Sequence, residues 1–386
     1  MKEGWTYKKL GEIATDMYRG SGIKRDQVTK EGMPCVRYGE IYTTYNIGFD
    51  KCVSHTDLSQ ISSPKYFEHG DLLFAITGES VEDIGKTIAY LGHEKCLSGG
   101  DIVVLKHNQD PKYLSYALSA PNAIKQKGLG KTKLKVVHTN IPALKEIIIP
   151  IPSLDEQQRI VSRLDAAFAY IDELKANAEK QLSEARALFQ KALTKAMEPK
   201  EGWEEKTIND VAFFRNGIAH EKDIDEGGNY IVINSKFVAT EGTVKKYTNE
   251  QLSPLYTNEI VMVMSDVPKG KTLAKCYIIE CDNKYSLNQR ICAFKSKGID
   301  IKFLYYMLNR NPYLLKYDNG ENQTNLRKNQ ILECPVAFPP QKNEQQRIVS
   351  RLDSLSAHVR ELEEVLQKTI AECDALKQAL LRKVFE

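Results

Sequence analysis

Between Ser153 and Met197 the apolar positions step by four and three in turn. They fall at Ile160, Leu164, Ala167, Ile171, Leu174 and Ala178, then at Ala185, Leu188 and Ala192, in a stretch with no Gly or Pro. From Gln341 onward the same rhythm returns at Ile348, Leu352, Leu355, Val359, Leu362, Leu366, Cys373, Leu376 and Leu380. A 3.5-residue repeat held over this length predicts coiled-coil helices rather than surface helices. Ser153 is placed to cap the first, with Glu156 as the capping-box partner. Pro199 and Gly202 end that helix, and Pro339-Pro340 launch the second. At about 1.5 Å per residue each extends on the order of 65–70 Å. Each carries a seam that needs covering, and the simplest cover is the other helix, as an antiparallel pair.

Segments 1–152 and 199–340 follow a different pattern. Short β-branched and aromatic runs alternate with turn residues. In the first segment these are Cys35–Tyr38, Asp71–Ile76, Asp101–Leu105 and Glu146–Ile149. In the second they are Tyr230–Ile233, Glu259–Met264 and Gln289–Phe294. These predict short strands. One helix per segment is expected, at Tyr113–Leu118 and Phe303–Leu308. The fold class that results is α+β: two strand-rich globules joined by two long helices.

Internal repetition fixes the arrangement. Glu156–Asp165 and Glu344–Asp353 are the same ten residues, Glu-Gln-Gln-Arg-Ile-Val-Ser-Arg-Leu-Asp. Lys2-Glu3-Gly4-Trp5 returns as Lys200-Glu201-Gly202-Trp203, and these hold the two tryptophans of the chain. The chain is thus a pseudo-twofold repeat of one unit. Its parts are a globule at 1–152, a helix at 153–198, a second globule at 199–340 and a second helix at 341–386. Matched frames around unlike inserts suggest one molecule that reads two different things.

Composition narrows the class. An apolar fraction of 42% and a charged fraction of 27% are those of a soluble globular protein. No apolar run approaches a membrane span, and Met1–Trp5 has no signal-peptide core. The eight cysteines form no Cys-x-x-Cys pair, which argues for reduced thiols, a cytoplasmic location and no metal site. With a net charge of only +3, an anionic partner must be met by local basic patches.

Motifs for chemistry fall short. Gly85-Lys86-Thr87, Gly130-Lys131-Thr132 and Gly270-Lys271-Thr272 resemble phosphate loops, but the required earlier Gly is replaced by Ser80, Lys125 and Ser265. The first and third tripeptides sit at matching places in the two copies. They read either as a repeated turn or as lysines meeting phosphate. Asn311-Pro312-Tyr313 is a partial methyltransferase-like tripeptide and is read as a helix end. No catalytic constellation is found.

Basic and amide-rich clusters are more informative. Lys125, Lys127, Lys131, Lys133 and Lys135 lie close together in copy one, and Asn322–Gln330 occupies the matching place in copy two. Lys and Arg neutralise phosphates, while Asn, Gln and Arg distinguish bases. The candidates for nucleic-acid contact in copy one are Arg19, Lys24, Arg25, Arg37, Tyr38, Lys86, Lys131, Lys133 and Lys135. In copy two they are Arg215, Asn216, Ser235, Lys236, Lys269, Lys271, Gln289, Arg290, Gln323, Arg327 and Lys328. A non-catalytic scaffold carrying two carbohydrate- or protein-binding domains is the alternative reading.

The doubled entry to a long helix, Pro150–Val161 and Pro339–Val349, resembles the specificity (S) subunit of type I restriction–modification systems. So do the Glu-Gly-Trp openings, each followed by Leu10–Ala14 or Ile208–Ala212. The likeness covers the whole chain. It implies two target recognition domains, each reading half of a bipartite DNA site, and a coiled coil that sets the gap. It also implies two methyltransferase (M) subunits and, in the full complex, motor-nuclease (R) subunits. S-adenosylmethionine, ATP and Mg would lie on those partners, with no cofactor on this chain. The repeated string offers Gln157, Arg159, Arg163, Gln345, Arg347 and Arg351 as partner contacts.

Overall fold

The computed structural model describes residues 4–81, 83–129, 137–220, 222–268 and 270–386. Two compact units emerge, Met1–Lys180 with Leu366–Glu386, and Gln181–Val365. Each combines one globule with parts of both long helices.

In the first unit, a five-stranded sheet runs in the order Ala14–Arg19, Ile102–His107, Leu72–Ala75, Thr87–Tyr90, Gly48–Phe49. A second runs Val28–Thr29, Ser54–Thr56, Met33–Val36, Cys96–Ser98, Tyr66–Phe67. The run Leu72–Ala75 is buried throughout because each of its faces has a core to fill. Leu72 and Phe74 join one cluster with Tyr113, Leu114 and Leu164, while Leu73 and Ala75 join another with Val36, Ile41 and Tyr90. A period of two divides the strand between the cores, and each buried Leu or Phe contributes about 1.5–3 kcal/mol.

The second unit repeats this in smaller form. Ala212–Asn216, Ile291–Ser296, Ile260–Val263 and Cys276–Ile278 make one sheet; Tyr247–Thr248, Tyr230–Ile233 and Tyr285–Leu287 make the other. Ile260 and Met262 face one core, Val261 and Val263 the other.

The first and last strands of each globule are antiparallel partners, Thr6–Lys9 with Ile148–Ile151 and Glu204–Thr207 with Pro335–Phe338. Beside each pair stand the Trp-containing opening and the Pro-rich closing segment that bracket the repeat in the sequence.

The two predicted helices are present as Pro111–Leu118 and Ile301–Leu308, capped by Asp110 and Asp300. They are not alone. Tyr38–Thr43, Pro121–Gly128 and Ile141–Lys145 are helical in one copy; Ser235–Ala239, Pro312–Leu315 and Lys328–Leu332 are in the other. Most are too short to display a helical period, so their signal lies in caps such as Asn140 and Asn234. Asn311 likewise caps the start of a helix, where the sequence suggested an end.

The long helices span Leu154–Met197 and Lys342–Phe385. In the first unit Lys175 meets Asp374 at 2.8 Å and Asp172 meets Lys377, so numbers rise on one helix as they fall on the other. Arg186 meets Glu363 at 2.8 Å in the second unit. The seam keeps Ile160, Leu164, Ile171, Ala178 and Ala185 buried but departs from the predicted one at several positions between them. Phe168, Lys175 and Phe189 turn inward, while Leu174 and Leu188 stay 42% and 60% exposed. On the second helix Leu362 and Leu376 are exposed in the same way. At Ala167/Phe168 and Leu188/Phe189 both neighbours are apolar, so spacing alone cannot choose between them. The larger Phe rings and the aliphatic stem of Lys175 take the inner place.

Candidate nucleic-acid interface

Strand register brings distant loops to one end of each globule. In the first, Arg19 is the partner of Val103 and Ala75 of Ile102. Ser21 bridges Gly99, the Gly99 amide donates to the Val36 carbonyl at 2.8 Å, and those of Ile76 and Thr139 donate to Asp101 and Ile76 at 3.0 Å. The second globule is built alike. Asn216 is the partner of Cys292, Val263 of Ile291, and Ile218 bridges Asn288. The Asn288, Met264 and Leu326 amides donate to Ile233, Arg290 and Met264 in turn. Glycine is required where the chains cross: a Cβ on Gly20 would lie 2.2 Å from the Gly99 carbonyl oxygen, and one on Gly217 2.1 Å from that of Asn288.

These loop ends gather most of the predicted contacts. Arg19 sits at the crossing, held by Asp101 at 2.7 Å and by the Gly100 carbonyl. Lys24 and Arg25 are exposed on the loop leaving it. Arg37 and the exposed Tyr38 follow Val36, although Arg37 is partly engaged by buried Glu40 at 3.2 Å. At the second loop end stand Asn216, Ser235, Lys236, Gln289, Arg290, Gln323, Arg327 and Lys328, all exposed except half-buried Ser235. Gln323 Nε2 donates to Ser265 Oγ at 2.8 Å, and Lys328 Nζ lies 5.7 Å from the Phe214 ring centroid. His138, donor or acceptor to Thr77 Oγ1 at 3.1 Å, and exposed Asn325 occupy matching strand positions here. Asn325 belongs to the predicted Asn322–Gln330 cluster and His138 follows the lysine cluster, but only the pairing register shows that the two positions match. Lys131, Lys133, Lys135 and Lys269 lie outside the described residues.

Two predicted contacts are turned inward instead. Arg215 meets Glu259 at 2.8 Å and donates to Ser253 Oγ and the Pro254 carbonyl. Lys86 donates to the Tyr42 and Tyr45 carbonyls, and burial lowers its pKa below the usual lysine range. The repeated Gly-Lys-Thr also proves misaligned. Gly85 corresponds to Ala274 and Lys86 to Lys275, because Gly85 and Ala274 both have positive φ and donate to the last residue of the preceding long strand. Lys275 Nζ likewise donates to a helix-end carbonyl, Ala239, at 2.9 Å. Gly270-Lys271-Thr272 folds over the Asp266 carboxylate, which accepts from the Thr272 amide at 2.7 Å, and leaves Lys271 exposed. Beneath the first turn, buried Lys127 donates to Gly85 O, Thr87 Oγ1 and Leu118 O, and desolvation lowers its pKa to about 7.

The repeated ten-residue string has two faces. Gln157 and Gln345 are 0% and 2% exposed, so they are not surface contacts. Gln157 accepts from the Asp110 amide and donates to Pro152 O; Gln345 accepts from the Asp300 amide and donates to Pro339 O. Asp165 and Asp353 extend the match, each bonded to a Lys and a Tyr of the capped helix. Arg159, Arg163, Arg347 and Arg351 are exposed on the other face. Among the described residues, no cluster of three or more His, Cys, Asp or Glu could hold a metal, and no helix is long and apolar enough to cross a membrane.

Residues 2–184 and 200–372 match the family described as the type I restriction modification DNA specificity domain. The chain is similar to the type I restriction enzyme StySPI specificity subunit of Salmonella potsdam, at 24% identity over 100% of this chain and 89% of that one. It is also similar to the putative MjaX specificity subunit of Methanocaldococcus jannaschii, at 23% identity over 98% and 92%. A chain from a solved structure concerned with complex assembly and conformational transition of the type I R-M system shares the fold. Its TM-score is 0.79 at 18% identity, covering 99% of this chain and 98% of that one. The HsdS subunit of Thermoanaerobacter tengcongensis shares it at a TM-score of 0.53 and 18% identity, covering 100% and 97%.

Proposed function

Because the chain belongs to the DNA specificity subunits of type I restriction–modification systems, which recognise sequence and are not themselves catalytic, we propose that each loop end reads one half of an asymmetric bipartite DNA site. The observation that carries this is a common frame with unlike side chains. Where copy one sets Arg19 against Asp101, copy two offers Asn216 and Arg290 at the equivalent strand ends. Arg and Asn read guanine and adenine through bidentate contacts in the major groove, so the two ends would select different bases. On this reading 1–152 and 199–340 are the recognition domains, while 153–198 and 341–386 set the gap, as dimer spacing does in other readers.

The chain acts within a complex. Its identical outward face, Arg159 with Arg163 and Arg347 with Arg351, supports docking of the same partner twice, which we assign to two methyltransferase subunits. S-adenosylmethionine, ATP and Mg then belong to the methyltransferase and motor-nuclease partners, and the assembly works on cytoplasmic double-stranded DNA. Exchanging 199–340 for the matching segment of a related subunit tests the division. Mapping of methylated adenines should show one half-site replaced and the other retained. A hybrid in which both halves change would overturn independent reading.

A further inference from the structure

Two of the ion pairs between the long helices, Lys175–Asp374 and Arg186–Glu363, are related by the internal repeat, and the relation reverses their sign. The second ten-residue string begins 188 residues after the first, Glu344 after Glu156. The same offset carries Lys175 to Glu363 and Arg186 to Asp374. Yet Lys175 bridges Asp374 in the first unit and Arg186 bridges Glu363 in the second, each at 2.8 Å. The two equivalent positions are thus basic on the first helix and acidic on the second.

This matters for what each helix can pair with. In the same antiparallel register, a first helix facing a second copy of itself would set Lys175 against Arg186 twice. A second helix facing itself would set Glu363 against Asp374 twice. Lys377, which meets Asp172 in the mixed pair, would then oppose Arg360. The seam has a matching size code. Buried Ala178 and Ala185 on the first helix correspond to buried Leu366 and Cys373 on the second. Pairing the first helix with itself would face alanine with alanine and leave a void, while pairing the second with itself would face Leu366 with Cys373. Exposed ion pairs attract only weakly, so their force here lies in the difference between right and wrong partners.

We propose that the coil is an interaction surface coded for the unlike half of the chain: the first helix accepts the second and rejects a further copy of itself. The two half-site readers would then stay joined in one-to-one, unlike pairs, even when the connection between them is cut.

The test starts from the intact folded protein with a protease site placed in the exposed turn 198–202. Isotope-labelled and unlabelled protein, both cleaved there, are mixed and examined by native mass spectrometry. Mixed pairs with scrambled label, and no pairs of like halves, are expected. Lys175→Glu makes that position complementary to Arg186, so pairs of first halves should appear, and adding Asp374→Lys, which faces Glu363 in a pair of second halves, should let those pairs form as well. Like pairs in the parent protein overturn the proposal, as does their absence from Lys175→Glu while label scrambles. If the halves do not exchange, the uncut chain decides. Lys175→Glu should lower its melting midpoint by about 1–3 °C, and Asp374→Lys should recover that loss. Additive losses instead of recovery would sink the code.

Discussion

At the scale of single residues, the proposed reading assigns base contacts to side chains exposed at the loop ends and a structural role to those turned inward. Arg290 is exposed at the start of a central strand, without the acidic neighbour that holds Arg19. Arg290→Ala should therefore relax one base position by about 1–3 kcal/mol of discrimination and leave the other half-site untouched, as read by adenine-methylation mapping. Replacing Lys131, Lys133 and Lys135 together should do the opposite. Affinity would fall for all sequences, and the slope of log K against log salt would flatten by about one unit for each phosphate left unneutralised, with base preference unchanged. Lys127 gives a pH signature. Burial holds its pKa at about 7 in the folded chain, against 10.5 ordinarily, with Gly85 O, Thr87 Oγ1 and Leu118 O as its acceptors. Between those values the unfolded chain binds more protons, so stability from this group rises with pH. Thermal melts should show the parent gaining on Lys127→Met from pH 7 to pH 9.

At the scale of elements, the helices were legible because a seam repeated over many turns has few other readings. Their inner face was not, since Ala167 and Phe168, or Leu188 and Phe189, satisfy the spacing equally and only packing selects between them. Short helices were missed because a single turn or two has no period, whereas caps such as Asn140 and Asn234 were available to be read. If the coil sets the gap, inserting one heptad into each long helix at matched heights should keep the seam in phase. It would add about 10 Å, roughly three base pairs at the 3.4 Å per-strand spacing. Methylation mapping should find both half-sites unchanged and the gap lengthened. A folded, active variant that kept the original gap would reduce the coil to a docking platform.

At the scale of the whole molecule, two unlike readers on one frame explain why the chain needs no catalytic group of its own. Calorimetry on the purified chain should detect no stoichiometric binding of S-adenosylmethionine or ATP; either one binding would refute the division of labour. The repeat, the paired long helices, the strand-rich globules and the family could all be read from the chain's spacing or from its identical strings. The sequence also marked basic and amide-rich loops as the place to look. Which of those side chains turn inward emerges from the folding of distant segments together. Arg215 and Lys86 are consumed by Glu259 and by the Tyr42 and Tyr45 carbonyls, and Gln157 and Gln345 by buried backbone groups. The same folding matches Lys86 with Lys275 rather than Lys271. The reason is physical: a side chain's partners are set by strand register and burial between residues far apart in the chain, and local composition holds no record of either.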